Sequence, residues 1–421
     1  MLSHHIAVEL PPGPRAPRSL QSLQYGLRPY AFFTRAQERH GDVFTVKVLR
    51  ETWVVVADPA GVKAVLTMDP SQMRSGEANH ELRPVIGTRN VLLLDGPEHL
   101  ARRKLVLPSF HGERLQGYRA TMAEVAREQM ASWPRGEPFE LLPRMQQITL
   151  EIIVRAIFGA RAEEAAPLRE SLRTLQNWLT GPQGSLAFLL AGADGVSRLP
   201  KFRRLLAAVD DAVAAQIERR RREPGDDVLS MLLQTEGLTD RDVRDELLTL
   251  LIAGHETSSA GLAWSFEALL RHPQALARVA AREPGWASAV AVESLRLHPP
   301  VPIGAIRRLL APLEVNGCVL PAGATIALSS LLLHRRPDLY PDPHAFRPER
   351  WLDTKPGGYE WIPFGGSVRR CVGASFAMLE LEVVLEEVAA HLALRAPSPE
   401  PERVWRRGIV LVPARGALAV A

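Results

Sequence analysis

Apolar residues recur at helical spacing along most of the chain. The stretches Met122 to Trp133 (MAEVAREQMASW), Leu205 to Arg222, Asp242 to Pro273 and Gly373 to Leu392 each gather apolar side chains at the period of an α-helix. β-branched or alternating runs are few and short. They are Asp42 to Leu49 (DVFTVKVL), Thr52 to Asp58 (TWVVVAD) and Leu313 to Leu328, where Asn316-Gly317 predicts a hairpin turn. The pattern predicts a mainly α fold with a small β subdomain. One helix is unusual: within Asp242 to Pro273, Ala253 to Gly261 reads AGHETSSAG, and these polar residues and glycines interrupt an apolar run. Such composition is expected where a side chain or water kinks or opens a helix, although a core helix with a harmless polar patch would read the same way.

Composition narrows the function classes. The 421 residues are 46% hydrophobic and 23% charged, enough for a large core. No Gly/Ser-rich linker or internal repeat interrupts them, so residues 1–421 are expected to form one domain. The first twenty residues carry neither a signal-peptide pattern nor an apolar run of membrane-spanning length, which predicts a cytoplasmic protein without a membrane anchor. Two cysteines make no disulfide framework. The net charge of +4 comes from scattered arginines, with no basic block interleaved with aromatics, so nucleic-acid binding is not expected.

Chemistry concentrates at Cys371, in FGGSVRRCVG (Phe364 to Gly373). A lone cysteine is most often a small buried hydrophobe. Here Gly365 and Gly366 permit close backbone approach, and the helix that begins at Gly373 turns N–H donors towards the sulfur, which favours a thiolate. One thiolate without a CxxC or HxxxH partner does not make a zinc site. A metal complex that brings its other ligands fits better, and the carboxylates of a haem would account for neighbouring arginines.

These residues resemble the cysteine-ligand loop of the cytochrome P450s, Phe-x-x-Gly-x-Arg-x-Cys-x-Gly, with Phe364, Arg369, Cys371 and Gly373 in place and Ser367 where the family has glycine. Three further motifs resemble the same family in order. Glu293 and Arg296 (ESLR), followed by PERW with Arg350, match its structural Glu-x-x-Arg network. AGHET matches its central-helix motif, in which Glu256 and Thr257 order water for proton delivery to dioxygen. His99 and Arg103 (HLARR) match a helix that contacts haem propionates, and Arg307 or its neighbour Arg308 is a third propionate partner.

The resemblance implies the prism-shaped P450 fold, one haem b with Cys371 as axial ligand, and a monooxygenase that inserts one oxygen atom of O2 into a lipophilic substrate by hydroxylation or epoxidation. The sequence lacks a flavin or nicotinamide fingerprint, so electrons from NAD(P)H are expected to arrive indirectly through a separate ferredoxin or flavodoxin and its reductase. Arg102, Lys104, Arg335, Arg336 and Arg370 form a candidate docking patch for such an acidic donor. The substrate pocket is assigned to Leu251, Ile252, Ala253, Val301, Ile303 and Ala305, with the loop Arg83 to Leu94 and a mobile glycine-spaced lid at Gly181 to Gly195. A terpenoid, steroid, fatty acid or other product of secondary metabolism fits such a pocket. A peroxide-driven peroxygenase or haem isomerase, and a non-catalytic haem sensor, are the alternatives. His255 and Cys318 are assigned no role.

Overall fold

The computed structural model describes residues 9–159 and 164–421. Eight helices position the site: α1 (Gly96–Val106), α2 (Gly112–Met130), α3 (Leu141–Phe158), α4 (Ala166–Thr180), α5 (Pro182–Arg198), α6 (Asp240–Arg271), α7 (Trp286–Leu297) and α8 (Ala374–His391). Helix α6 is the axis, about 48 Å long at 1.5 Å per residue. It starts in a reciprocal capping box, the Thr239 hydroxyl accepting from Asp242 N and Asp242 Oδ2 accepting from Thr239 N. Helix α3 lies along it and is buried over most of its circumference. Gly159, at φ 53°, ends α3 with its N–H on the Arg155 carbonyl.

The expected opening of the central helix is not present in its backbone, since α6 runs unbroken from Asp240 to Arg271. Its hydroxyls bond back along the helix instead. Thr257 donates to the Ala253 carbonyl at 2.7 Å, Ser259 to Glu256 at 3.0 Å and Ser265 to Gly261 at 2.8 Å. Gly254 serves helix packing, because a Cβ there would stand 3.3 Å from Ile153 Cδ1 of α3.

The predicted strands form. β1 (Val43–Val48), β2 (Glu51–Val56), β3 (Met73–Arg74), β4 (Ile303–Leu309) and β5 (Thr325–Ser329) make one sheet in the order β1-β2-β5-β4-β3, parallel only between β2 and β5. Both faces are covered: Val54, Val56 and Ile326 enter one apolar cluster, and Val55, Ala57 and Ala327 enter another. The Leu313–Val315 and Cys318–Leu320 strands pair as predicted, with Asn316 at φ 51° and Gly317 at φ 75° as a primed turn requires. No helix among the described residues is long and apolar enough to cross a membrane.

Helix α5 spans most of the segment expected to be a mobile, glycine-spaced lid. Gly192, at φ 65° and ψ −174°, breaks it, and a Cβ there would meet the Arg50 guanidinium at 2.8 Å. The segment is thus a helix with one break: Gly184 is needed for close approach to the Trp178 carbonyl, and Gly192 for its positive φ.

Glu380 of α8 is buried beside the Ser258 hydroxyl, which offsets only part of the loss of water around its carboxylate. Burial pushes its pKa up to about 8. The unfolded chain ionises this carboxyl near its ordinary value of 4.5, so the native state holds the extra proton between those two values. The contribution of this carboxyl to stability therefore falls as pH rises from about 5 to 8, opposite in sign to that of the buried histidines. Chemical denaturation is expected to show Glu380→Gln gaining stability relative to the parent as pH rises across that range.

Candidate active site

The cysteine loop is shaped by its backbone. Cys371 N donates to the Phe364 carbonyl at 2.9 Å, and Gly365, at φ 65°, turns the chain. A Cβ on Gly366 would stand 2.6 Å from Leu66 Cδ1, so that position must be bare. Ser367 adopts φ 59°, the left-handed conformation for which glycine is suited, and it is exposed. Gly373 precedes α8, and a Cβ there would meet no protein atom. The Cys371 side chain is accessible, yet protein rings it closely. Burial pushes its thiol pKa up, while the Gly373 backbone bond, Arg103 and Arg370 pull the other way. The helix and arginines alone do not make the thiolate expected from sequence; metal coordination would deprotonate it.

Around this loop stands a cluster of buried and half-buried basic residues. Arg307 is 4% exposed; one Nη donates to the Ile306 carbonyl at 3.0 Å, and the other Nη has no partner. Burial and then Arg369 lower its pKa to about 10. Arg369 bonds the Leu94 carbonyl and Asp95 at 2.6 and 2.5 Å, and burial lowers it to about 10 as well. Arg103 donates to the Arg370 carbonyl at 2.6 Å. His99, one turn before it on α1, is lowered to about 4 by burial, then by Arg369 and Arg103. Arg308 points the opposite way along β4 and pairs with Glu77 at 3.1 Å, which selects Arg307 as the inward arginine. A guanidinium buried without a counter-charge or full hydrogen bonding calls for an anion.

Helix α6 supplies the opposite wall. Ala253 is exposed in the middle of a buried helix, and Ile252, Gly254 and Thr257 are half-buried, so this face borders open space. Glu256 turns elsewhere. Gln146 Nε2 of α3 reaches its two oxygens at 3.3 and 3.4 Å, and Arg407 stands 3.9 Å away. Burial raises its pKa, against the pull of Arg407 and Gln146. His255 packs towards α3, its Nδ1 2.9 Å from Thr149 Oγ1. Gln146 and Arg407 are missed by sequence reasoning, because they lie 110 residues before and 151 after Glu256. Arg407 also bonds Thr180 and Asn177 at the end of α4.

The pocket residues separate. Leu251 is buried in the helical core, with Ile252 and Val301 packed against it, and Ala305 lies beside the cysteine loop near Gly365. Ile303 does not join them. It is buried in the cluster with Phe44, Val55 and Ala327, whereas Ala305 packs on the opposite sheet face, because a bulge between Gly304 and Arg307 resets the alternation. The loop Arg83 to Leu94 is pinned to α6: Asp245 accepts from Thr88 N and Arg89 N at 2.8 and 3.0 Å, and Glu246 from Val91 N at 3.0 Å.

The docking patch is also corrected. Arg102 is buried against Asp242 and Glu246 at 2.9 and 3.2 Å. Arg335 donates to the Leu297 carbonyl and stacks over Tyr30, and Arg336 is committed to Asp42 and Asp338. Only Lys104 and Arg370 of the five are exposed.

Glu293 and Arg296 meet as predicted, both without exposed side-chain surface, in a bidentate pair at 2.8 Å. Arg350 Nε and Trp351 Nε1 reach Glu293 at 3.3 and 2.7 Å. Arg296 donates further to the carbonyls of His334, Pro343 and Ala345. His334 continues the chain of bonds to the cysteine loop, accepting from Ile362 N at 2.8 Å.

The family model for cytochrome P450 matches residues 10–281 and 287–420. Two Mycobacterium tuberculosis chains, carried under the provisional names cytochrome P450 135B1 and cytochrome P450 137, are 37% and 36% identical. The first match covers 99% of this chain and 92% of the relative, the second 96% and 90%. Among solved structures, CYP175A1 from Thermus thermophillus is 30% identical with a TM-score of 0.76, over 96% of both chains. Retinoic acid-bound cyanobacterial CYP120A1 is 22% identical and shares the fold with a TM-score of 0.84, over 98% of this chain and 99% of that one. The chain belongs to the cytochrome P450 family. It is an oxidoreductase of the monooxygenase class, and the family's cofactor is haem. The residues present fit that group: an accessible cysteine on a bare loop, an orphaned Arg307 Nη for a carboxylate, and room beside Gly373.

Two outcomes follow from this geometry. Glu293→Gln leaves Arg296 charged and buried without its counter-ion, which should cost about 3–5 kcal/mol and reduce both soluble yield and haem content. Ser367→Gly relieves the left-handed residue at an exposed position and should raise stability by about 0.5–1 kcal/mol in denaturant titration, with haem absorbance unchanged.

Proposed function

We propose that residues 1–421 act as one haem-thiolate domain that inserts one oxygen atom of O2 into a lipophilic substrate. In this reading Cys371 would hold the haem iron through its sulfur, and Arg307, Arg369, Arg103 and His99 would hold the two propionates. Haem bound there supplies reductive activation of dioxygen, favoured by an electron-donating thiolate. Arg307 carries the assignment best, since its free buried Nη needs an anionic partner. Phe364 and Gly373 shape the loop; Phe364 stacks edge-on against Trp361 at 5.8 Å.

Thr257 and Glu256 divide the proton work. Thr257 holds its hydroxyl at the open face, on the Ala253 carbonyl, where it can order a water. Glu256, its pKa raised by burial, keeps a proton more readily than a surface carboxylate and receives replacements past Gln146 and partly exposed Arg407. Ile252, Ala253, Val301 and Ala305 give the substrate an apolar wall, and Leu251 lies in the buried helical core. Electrons come from NAD(P)H through a separate ferredoxin or flavodoxin and its reductase in the cytoplasm, with exposed Lys104 and Arg370 as the acidic donor's contact points.

The reduced protein under carbon monoxide is expected to show a strongly red-shifted Soret band that Cys371→Ala abolishes; an imidazole-type band in the parent would refute the ligand assignment. With a supporting reductase and a substrate found by screening, Thr257→Ala should consume NADH while product formed per NADH drops about tenfold or more. Unchanged coupling in that variant would refute the proton role and favour peroxide-driven chemistry.

A further inference from the structure

Among the described residues, one cluster outside the site has the side chains to hold a metal: Glu51 at the start of β2, and His80 and Glu81 in the 3-10 segment Glu77–Leu82. His80 Nδ1 lies 3.1 Å from the Glu77 carbonyl. A carbonyl only accepts, so Nδ1 carries the hydrogen, and in the neutral ring Nε2 keeps its lone pair. That nitrogen faces Glu81 Oε1 at 3.6 Å and Glu51 Oε1 at 3.8 Å. Three acceptors thus converge within 4.8 Å of one another.

Two of these ligands are braced from behind. The Glu77 carbonyl orients the imidazole, the support that metal-binding histidines generally carry, and Glu81 Oε2 accepts from Ala193 N at 3.0 Å, which leaves Oε1 free. Glu51 and His80 line a cleft of about 220 Å³ with Glu77, Ala78, Arg83, Arg308 and Thr325. Glu77 neutralises Arg308, so Arg83 is the cation left facing two carboxylates.

We propose that Glu51, His80 and Glu81 bind a divalent ion of the zinc class, with water from the cleft completing a tetrahedral shell. One imidazole and two carboxylates suit zinc better than calcium or magnesium, which take oxygen ligands. Zinc bonds of about 2.0–2.1 Å place tetrahedral ligands about 3.4 Å apart, so each carboxylate oxygen needs to approach the imidazole by a few tenths of an ångström, and the two oxygens, within 4.8 Å of one another, need to close by at most about 1.4 Å. Ala193 follows Gly192, the break in α5, and Arg50 Nη2 binds the Leu190 carbonyl at 3.0 Å on the other side of it. Bound metal would fasten that break to β2.

Calorimetric titration of the haem-loaded protein with zinc chloride tests this, after chelator treatment and in a background with His4→Ala and His5→Ala to remove the N-terminal pair. One zinc per chain is expected, with affinity falling at least 10-fold in His80→Ala, Glu81→Gln and Glu51→Gln. Zinc should also slow hydrogen exchange around Ala193 in the parent and not in His80→Ala. Haem absorbance and far-ultraviolet circular dichroism check that each variant is folded, and any one folded variant suffices. No binding, or binding equal in parent and variants, which is an adventitious ion only, overturns the proposal.

Discussion

A carboxylate and a guanidinium with no exposed surface hold this structure around its cysteine. Glu293 and Arg296 sit one turn apart on α7 and satisfy each other bidentately, and their remaining capacity is spent on other segments: the carbonyls of His334, Pro343 and Ala345, the N–H of Arg347, and the side chains of Arg350 and Trp351. Segments that lack regular secondary structure thereby acquire fixed positions. Desolvating two charges is costly, and it is tolerated because almost every donor and acceptor in the group is used. Through His334 and Ile362 the same order reaches the loop that carries Cys371.

The site combines elements with different tolerances. The loop around Cys371 is fixed by sterics, with Gly366 against Leu66, whereas the arginines around it are fixed by charge and burial. The two systems need not agree for the chain to fold. An uncompensated Arg307 Nη and a raised Cys371 pKa are conditions the protein itself leaves unsettled and a metal with carboxylate arms would settle.

Much of this was legible in the sequence. Helix periodicity located the helical body, Asn316-Gly317 located the hairpin, and four motifs in order located Cys371, Glu293, Thr257 and His99. What failed did so for tertiary reasons. A polar stretch in a helix reads as a break, yet the hydroxyls of Thr257, Ser259 and Ser265 bond back to their own helix. Arginines near matched motifs read as a surface patch, but Arg102 is buried by two carboxylates some 140 residues away. Ile303 was misassigned because one bulge in β4 shifts which face its neighbours present. Gln146 and Arg407 carry no local signal, since only folding brings them to Glu256.

The attachment of the loop Arg83 to Leu94 to α6 has a consequence for how such a protein diversifies. Asp245 and Glu246 grip Thr88, Arg89 and Val91 by main-chain N–H groups. Every residue except proline offers that group, so the grip is indifferent to what the loop's side chains are. Substitution of exposed Thr88 can therefore change the surface of the loop without removing its main-chain attachment to α6. Inheritance can thus hold the attachment constant while the loop's exposed side chains drift.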